Sequence, residues 1–205
     1  MNLLIYGAGG HGKVVATAAS ETLKYKKIYF LDPAKKNFDF LANDNIFHLN
    51  PKNISSIKSD NPHSILAIGD NKIRMKVALE QPGDNFISIE SPSSYISSFS
   101  EISKGVFVAA GAMINSGSMI GPHSIINTGS IVEHDCQIGS FCHIAPNAAL
   151  GGNVVTGSNV FIGGGSFINP NISICDDVVI GSGSVVINDV VESGVYVGAP
   201  VQKIT

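Results

Sequence analysis

The chain has 205 residues, with 13 Lys and Arg against 16 Asp and Glu and a formal net charge of -3 at pH 7. That length admits one large domain or two small ones, each able to bury a core, and the charge balance offers no basic surface to neutralise nucleic-acid phosphates. Charged residues make up only 14% while glycine reaches 22 and tryptophan is absent, a composition suited to repeats of short strands and turns.

MNLLIYGAGG carries no basic region and too short an apolar run for a secretion signal, and nowhere do about 18 apolar residues follow one another. A soluble, cytoplasmic protein that binds neither membrane nor nucleic acid is expected. Cys136, Cys142 and Cys175 are an odd set without a CxxC pair, which fits reduced thiols better than disulfides or zinc.

In chain order, Leu3 to Tyr6 reads as an apolar strand, followed by a glycine-rich turn and a helix from Lys13 to about Leu23. Lys27 to Asp32 and Ser64 to Asp70 read as further strands, Lys72 to Glu80 as a helix, and FISIE (Phe86 to Glu90) as the last strand. Strands alternating with helices imply a small parallel, Rossmann-like α/β sheet. Gly7, Gly9 and Gly12 form GxGxxG between strand and helix, and Asp32 ends the next strand twenty residues on. This spacing lets backbone N–H groups approach a phosphate at a helix N-terminus while the acid takes a ribose hydroxyl. The segment is too short for both halves of a dinucleotide fold, so a single nucleotide fits better. The serine-rich stretch Ser91 to Ser98 reads as the junction, giving domains over 1–96 and 97–205.

From Ile102 an apolar residue recurs every six positions through Val186, fifteen units in which only Thr156 departs. Small or β-branched residues such as Ala112, Ser130, Cys136, Cys142 and Ala148 precede these positions by two. Period six is a short strand plus a turn, with one large and one small side chain facing inward: a parallel β-helix. Cys136 and Cys142 then belong to the core, whereas His134 and His143 face out. The two histidines stand nine residues apart, so that if three such units make a triangular coil of eighteen residues they lie on opposite sides of one prism. If prisms trimerise about their long axis, His134 of one subunit meets His143 of the next.

Imidazole titrates near neutrality and is suited to accept the proton of an attacking nucleophile. Asp135 beside His134 can orient the ring, with Glu133 as the competitor. His143 or a backbone N–H of Gly151 to Asn153 can serve a tetrahedral oxyanion. His123, in GPHSI, reads as a surface residue, and Asp176 and Asp177 as a turn cap, so no metal site is expected.

GAGGHGKVV, AIGDNKIRMK, NTGSIVEHDCQIG with His143 following, and GVYVGAPVQKI together resemble the hexapeptide-repeat acetyltransferases of the sialic acid O-acetyltransferase family. Within it they are similar in type to bacterial N-acetyltransferases of nucleotide-linked 4-amino-4,6-dideoxy sugars. The resemblance implies units packed three to a coil in a left-handed parallel β-helix, here about five coils and, with strands about 4.8 Å apart, about 24 Å long. It implies a homotrimer with active sites between subunits, acetyl-CoA as co-substrate, and a UDP- or dTDP-linked amino sugar, used in surface glycan biosynthesis, held by the N-terminal domain. His134 becomes the general base for direct attack of the amine on the thioester, with Asp135 beside it. Gly9, Gly10, His11, Gly12, Asp32, Gly69, Asn71 and Arg74 become candidates for the nucleotide sugar. His143, Gly152, Gly163, Gly181 and Lys203 become candidates for acetyl-CoA, Lys203 being the only cation after Lys104. The choice between uridine and thymidine is left to a few contacts to the nucleotide base, for which the loop from Pro33 to Asn45 is the candidate. Two other readings stay open: O-acetylation of sialic acid or a related sugar, and a non-catalytic trimeric scaffold, which would be expected to lack His134 or its acid.

Overall fold

The computed structural model describes residues 1–33, 45–49 and 54–204, so only the two ends of the Pro33-to-Asn45 loop fall within it. Strands β1 (Asn2–Tyr6) and β2 (Lys27–Leu31) are apolar runs with four of five residues buried, as a sheet covered on both faces requires. They pair in parallel with Leu3 beside Ile28. With β3 (Ile46–His48), β4 (His63–Leu66) and β5 (Asn85–Phe86) they form one parallel sheet in the order β3-β2-β1-β4-β5. The connecting helices are α1 (Gly10–Glu21), α2 (Ile54–Lys58) and α3 (Asn71–Glu80). Helix α1 starts earlier than its apolar pattern suggests, because Gly9 already serves as its N-cap. At α3 the cap is Asp70, whose Oδ1 accepts the Ile73 N–H at 2.8 Å. Strand order reverses between β1 and β4, which opens a crevice at the carboxyl ends of the strands.

The remaining chain winds as a triangular prism of three sheets with six, five and eight strands, parallel except for the last strand of the eight, Val201–Lys203. Face I carries rungs such as Phe107–Val108, Ile125–Ile126 and His143–Ile144; face II carries Met113–Ile114, Ile131–Val132 and Ala149–Leu150; face III carries Met119–Ile120 and Gln137–Ile138. Rungs one coil apart pair in register, Ile131 with Ala149 and His143 with Phe161. Val108, Ile114, Ile126, Val132, Ile144, Leu150, Ile162 and Ile168 are fully buried, each contributing about 1.5–3 kcal/mol of apolar burial. Ala112, Cys136, Cys142 and Ala148 fill the alternate inward positions. Thr156 also points in, and its Oγ1 accepts the Gly139 N–H at 3.1 Å, so the one polar departure from the repeat is a satisfied core residue.

From Gly105 to Gly183 the corners turn through one residue at positive φ, and these stack eighteen apart: Gly117, Asp135, Asn153 and Asn171 in one column, Gly105, His123, Phe141, Asn159 and Asp177 in another. Asn and Asp tolerate this conformation better than other side chains. Asp176 and Asp177 do act within such a corner: Asp176 Oδ1 accepts the Ser158 N–H at 2.6 Å, and Asp177 accepts from the Asn159 amide.

The junction differs from the sequence reading. FISIE is not one strand: Phe86 ends the α/β sheet, while Ile89–Glu90 already pairs with Phe107–Val108 on face I, and Tyr95–Ile96 inside the serine-rich stretch is the first rung of face II. The prism thus begins before residue 97. Nothing local marks the exchange, since both sheets are parallel and ask for the same alternation.

The α/β layer covers the early coils of face I. Phe107 and Ile125 point outward from the prism yet are 1% exposed, because they pack with Leu3, Ile5, Val15, Ala19 and Phe30 in one core. At the far end a hairpin of Gly194–Gly198 and Val201–Lys203 extends face I. Among the described residues no helix is long and apolar enough to cross a membrane.

Candidate active site

His134 and Asp135 occupy the corner between faces II and III, immediately after the rung Ile131–Val132. The left-handed backbone at Asp135 (φ 60°) folds its carboxylate back onto the preceding ring, and His134 Nδ1–H donates to Asp135 Oδ2 at 2.8 Å. Glu133 is not the partner, since its Oε2 accepts instead from the Asn115 amide at 2.9 Å. The bond to Asp135 fixes the tautomer, leaving Nε2 with a lone pair to accept a proton. Both side chains are about two-thirds exposed (63% and 66%), open to whatever binds this corner.

The ring lies over Gly152, one coil on. A Cβ at Gly152 would stand 2.6 Å from both Cε1 and Nε2 of His134, so this glycine makes room for the imidazole. Gly152→Ala is expected to push the ring off its present position. It should lower kcat at least about tenfold while leaving the melting temperature nearly unchanged, because the displaced atoms end an exposed side chain. Steady-state kinetics beside a thermal melt checks this.

His143 sits differently from the sequence expectation. It does leave the prism on face I, but the α/β layer covers it to 7% exposure. Its Nδ1–H donates to Gly69 O at 3.1 Å, and its Nε2 accepts from Asn127 Nδ2 at 3.0 Å. The Asn127 amide is oriented by its Oδ1, which accepts the Thr128 N–H at 2.8 Å. Burial holds the His143 pKa down to about 4. With one nitrogen donating to Gly69 and the other accepting, His143 has no N–H left for an oxyanion. Asn127, which sequence reasoning missed, shares a corner column with Ala145, Gly163 and Gly181, each eighteen residues apart; that spacing was the signal for it. Gly163 and Gly181 permit close coils, a Cβ on the first meeting Ser182 N at 2.4 Å and on the second Val197 at 2.7 Å. Lys203 is held by Glu192 at 2.9 Å.

His134 with Gly152, and Asn127 with Gly163 and Gly181, thus flank opposite edges of face II. The outward residues of that face are Tyr95, Met113, Ile131, Ala149, Phe167 and Val185, an unbroken apolar stripe with Tyr95 54%, Met113 40% and Phe167 43% exposed.

The glycine turn has two jobs. Gly12 and Gly7 let the chain touch itself, a Cβ on Gly12 falling 2.3 Å from Gly7 O, whereas Gly9 and Gly10 face open space above the α1 N-terminus. Asp32 accepts the Ala8 N–H at 2.9 Å and so braces the turn. Beside it a cavity of about 340 Å³ opens at the carboxyl ends of β1, β2 and β4, walled by Leu31, Ile68, Ile73 and Val77. His11 is turned away from this cavity, edge-on to Phe107 at 5.3 Å and 6.2 Å from the His143 ring. Its Nε2 is buried without a partner among the described residues, and burial pulls its pKa to about 3, with His143 and Arg74 adding to the effect.

Arg74, expected at the nucleotide, is fully buried. Nε donates to His123 O at 2.8 Å, Nη1 to Ile68 O at 2.7 Å, and Nη2 to Asn71 Oδ1 at 2.7 Å and to Phe141 O at 2.9 Å. Longer bonds reach Gly69 O and Cys142 O. Burial lowers its pKa to about 10, which leaves it charged. Asn71 is enlisted in the same knot through its bond to Val160 O at 3.2 Å. Both are struts between the α/β layer and the prism, and neither reaches the crevice. His123 is likewise no surface residue: it is 6% exposed, stacked on Phe141 at 5.1 Å and edge-on to Phe86 at 4.9 Å. Cys136 and Cys142 are buried with thiol pKa values raised by desolvation, core residues as expected.

Residues 2–80 match the PglD N-terminal domain, and residues 117–152 match the bacterial transferase hexapeptide (six repeats). PerB from Caulobacter crescentus, solved in complex with CoA and GDP-perosamine, is 32% identical with a TM-score of 0.88, over 100% of this chain and 98% of that one. The acetyltransferase domain of PglB from Neisseria gonorrhoeae, solved with acetyl coenzyme A, is 29% identical with a TM-score of 0.90, over 99% of this chain and 98% of that one. No curated protein matches the chain.

Proposed function

This chain belongs to the hexapeptide-repeat acetyltransferases that modify sugar amines, and we propose that its acceptor is the 4-amino group of a nucleotide-linked 4-amino-4,6-dideoxyhexose used in surface glycan assembly. The observation that carries this reading is the His134–Asp135 pair, exposed at a prism corner with Nδ1 bound to the carboxylate and Nε2 above Gly152. The neutral amine attacks the thioester carbonyl carbon, and a new C–N bond forms as the carbonyl becomes an oxyanion. His134 Nε2 takes the amine proton, Asp135 steadies the resulting imidazolium, and collapse breaks the C–S bond. The proton passes from His134 to the departing thiolate, which leaves as CoA. The N–H groups of Gly151 and Asn153 are held by Ile168 O and His134 O, and His143 has none to spare, so among the described residues of this turn the Gly152 N–H is the donor offered to the oxyanion.

The catalytic unit is a homotrimer built on face II. Its apolar stripe needs cover, and the half-sites at its two edges would be joined by three-fold packing, His134 of one subunit approaching Asn127, His143, Gly163 and Gly181 of another. The GxGxxG turn, open above Gly9 and Gly10 and adjoining the crevice, supports a nucleotide-linked acceptor over a free sugar such as sialic acid.

Thiol release from acetyl-CoA tests the reading. Turnover is expected with a nucleotide-linked 4-amino-4,6-dideoxyhexose and none with free or CMP-linked sialic acid; the reverse pattern would move the protein to O-acetylation. Ile131→Lys on the apolar stripe is expected to give monomers by sedimentation and to abolish turnover, whereas a monomeric variant with full activity would sink the shared site.

A further inference from the structure

The crevice at the strand ends carries a polar edge that neither acetyl transfer nor the fold explains. Besides its apolar walls it is lined by Tyr6, Glu80 and Gln81. Gln81 is oriented from behind. Lys58 Nζ, which can only donate, bonds Gln81 Oε1 at 2.6 Å and Asp84 Oδ1 at 2.6 Å, and the Tyr6 hydroxyl donates to the other oxygen of Asp84. Asp84 is 8% exposed, so the relay is held in place by burial. The amide oxygen of Gln81 must face Lys58, which leaves its Nε2 hydrogens as the donors available to a ligand. Glu80, the last residue of α3, is 54% exposed and among the described residues pairs with Lys76 alone, at 3.9 Å, a weak surface pair that a ligand can displace.

An ionised carboxylate beside a fixed amide donor presents acceptor, acceptor, donor. Guanine answers that pattern along one edge: N1–H and N2–H donate to Glu80, and O6 accepts from Gln81. Uracil and thymine offer acceptor, donor, acceptor, so one oxygen of Glu80 would face a carbonyl oxygen. The cavity of about 340 Å³ holds a purine with its ribose, Ile68, Ile73 and Val77 supplying apolar walls for the ring. We infer that Glu80, with Gln81 preset by the Tyr6–Asp84–Lys58 relay, makes this a guanine site, so that the acceptor is carried on GDP in place of the UDP or dTDP that the sequence suggests. The inference rests on the nucleotide-sugar reading above.

Isothermal titration of the intact protein with GDP, UDP and dTDP tests it, with Glu80→Gln as the variant. GDP is expected to bind at least about tenfold more tightly than either pyrimidine nucleotide. Glu80→Gln, which replaces an acceptor by a donor, should weaken GDP roughly 10- to 100-fold without weakening UDP or dTDP. Glu80 is exposed at a helix end, so an unchanged melting temperature is expected to accompany the loss. Equal binding of all three nucleotides, a pyrimidine preference, or a GDP preference that survives in Glu80→Gln each overturns the guanine assignment and leaves the nucleotide-sugar reading standing. Binding of acetyl-CoA with no binding of any nucleotide overturns both.

Discussion

Replacing His134 by alanine is expected to lower kcat by roughly 10²- to 10⁴-fold, the usual worth of a positioned general base, while the affinity for acetyl-CoA changes little. The split follows from the geometry. The ring stands out from a corner and braces nothing: among the described residues its one side-chain hydrogen bond is to Asp135, and it is 63% exposed. Removing it costs no packing, so the loss should fall on turnover alone. Asp135→Asn should lose less, because the asparagine oxygen can still accept the Nδ1–H but supplies no charge to the imidazolium. Rapid-mixing kinetics with saturating acceptor, beside equilibrium titration of acetyl-CoA, separates the two quantities. Full turnover in His134→Ala would remove the base assignment.

Arg74→Met is expected to cost about 3–5 kcal/mol of stability, roughly what two or three buried carbonyls left without a donor cost. The side chain is of similar length, so the loss is chiefly one of hydrogen bonds. Carbonyls of Ile68, His123, Phe141 and Cys142 converge on one guanidinium in the seam; Cys142 O keeps the Ile125 N–H, and each of the other three left unpaired costs about 1–3 kcal/mol unless water reaches it. Arg74→Lys should recover only part, since an ammonium has three donors and cannot present them in a planar fork. Urea denaturation followed by both far-ultraviolet dichroism and tyrosine fluorescence checks the size of the effect. A second expectation accompanies it: with its strut gone the α/β layer should melt ahead of the prism, giving two transitions. An unchanged midpoint would mean that the seam does not depend on Arg74.

The prism was legible because a strand plus a corner forces the same inward positions every six residues, and even Thr156, the one break in the pattern, proved to be inside. The His134–Asp135 contact was half legible: the register turned His134 outward and an acid stood on each side of it, but only the left-handed backbone at Asp135 decides between them. The seam was not. Arg74 lies on a helix of low apolar content and reads as a polar surface residue, and no local feature announces that corners 49 and 67 residues further on bring carbonyls to it. His123 failed for the same reason: GPHSI describes a turn, and its burial comes from Phe86 and Phe141, which belong to other parts of the chain. His143 was placed outside the prism correctly, but what lies outside at that coil is the α/β layer. Periodicity fixes which way a side chain points and is silent on what another domain lays over it.

The in-register stacking of the coils also limits how such a chain can change length. His134 meets Gly152 because eighteen residues separate them, and the same interval stacks Asp135 between Gly117 and Asn153. Loss of a single residue anywhere from 136 to 151 would turn every later inward side chain outward until the frame was restored, and would put a side chain other than glycine beneath the imidazole. A whole coil, by contrast, could be lost or gained beyond Asn171 without disturbing that corner. Natural variation in the size of such proteins should therefore come in steps of one coil, or at the hairpin and the α/β layer, where no frame has to be kept.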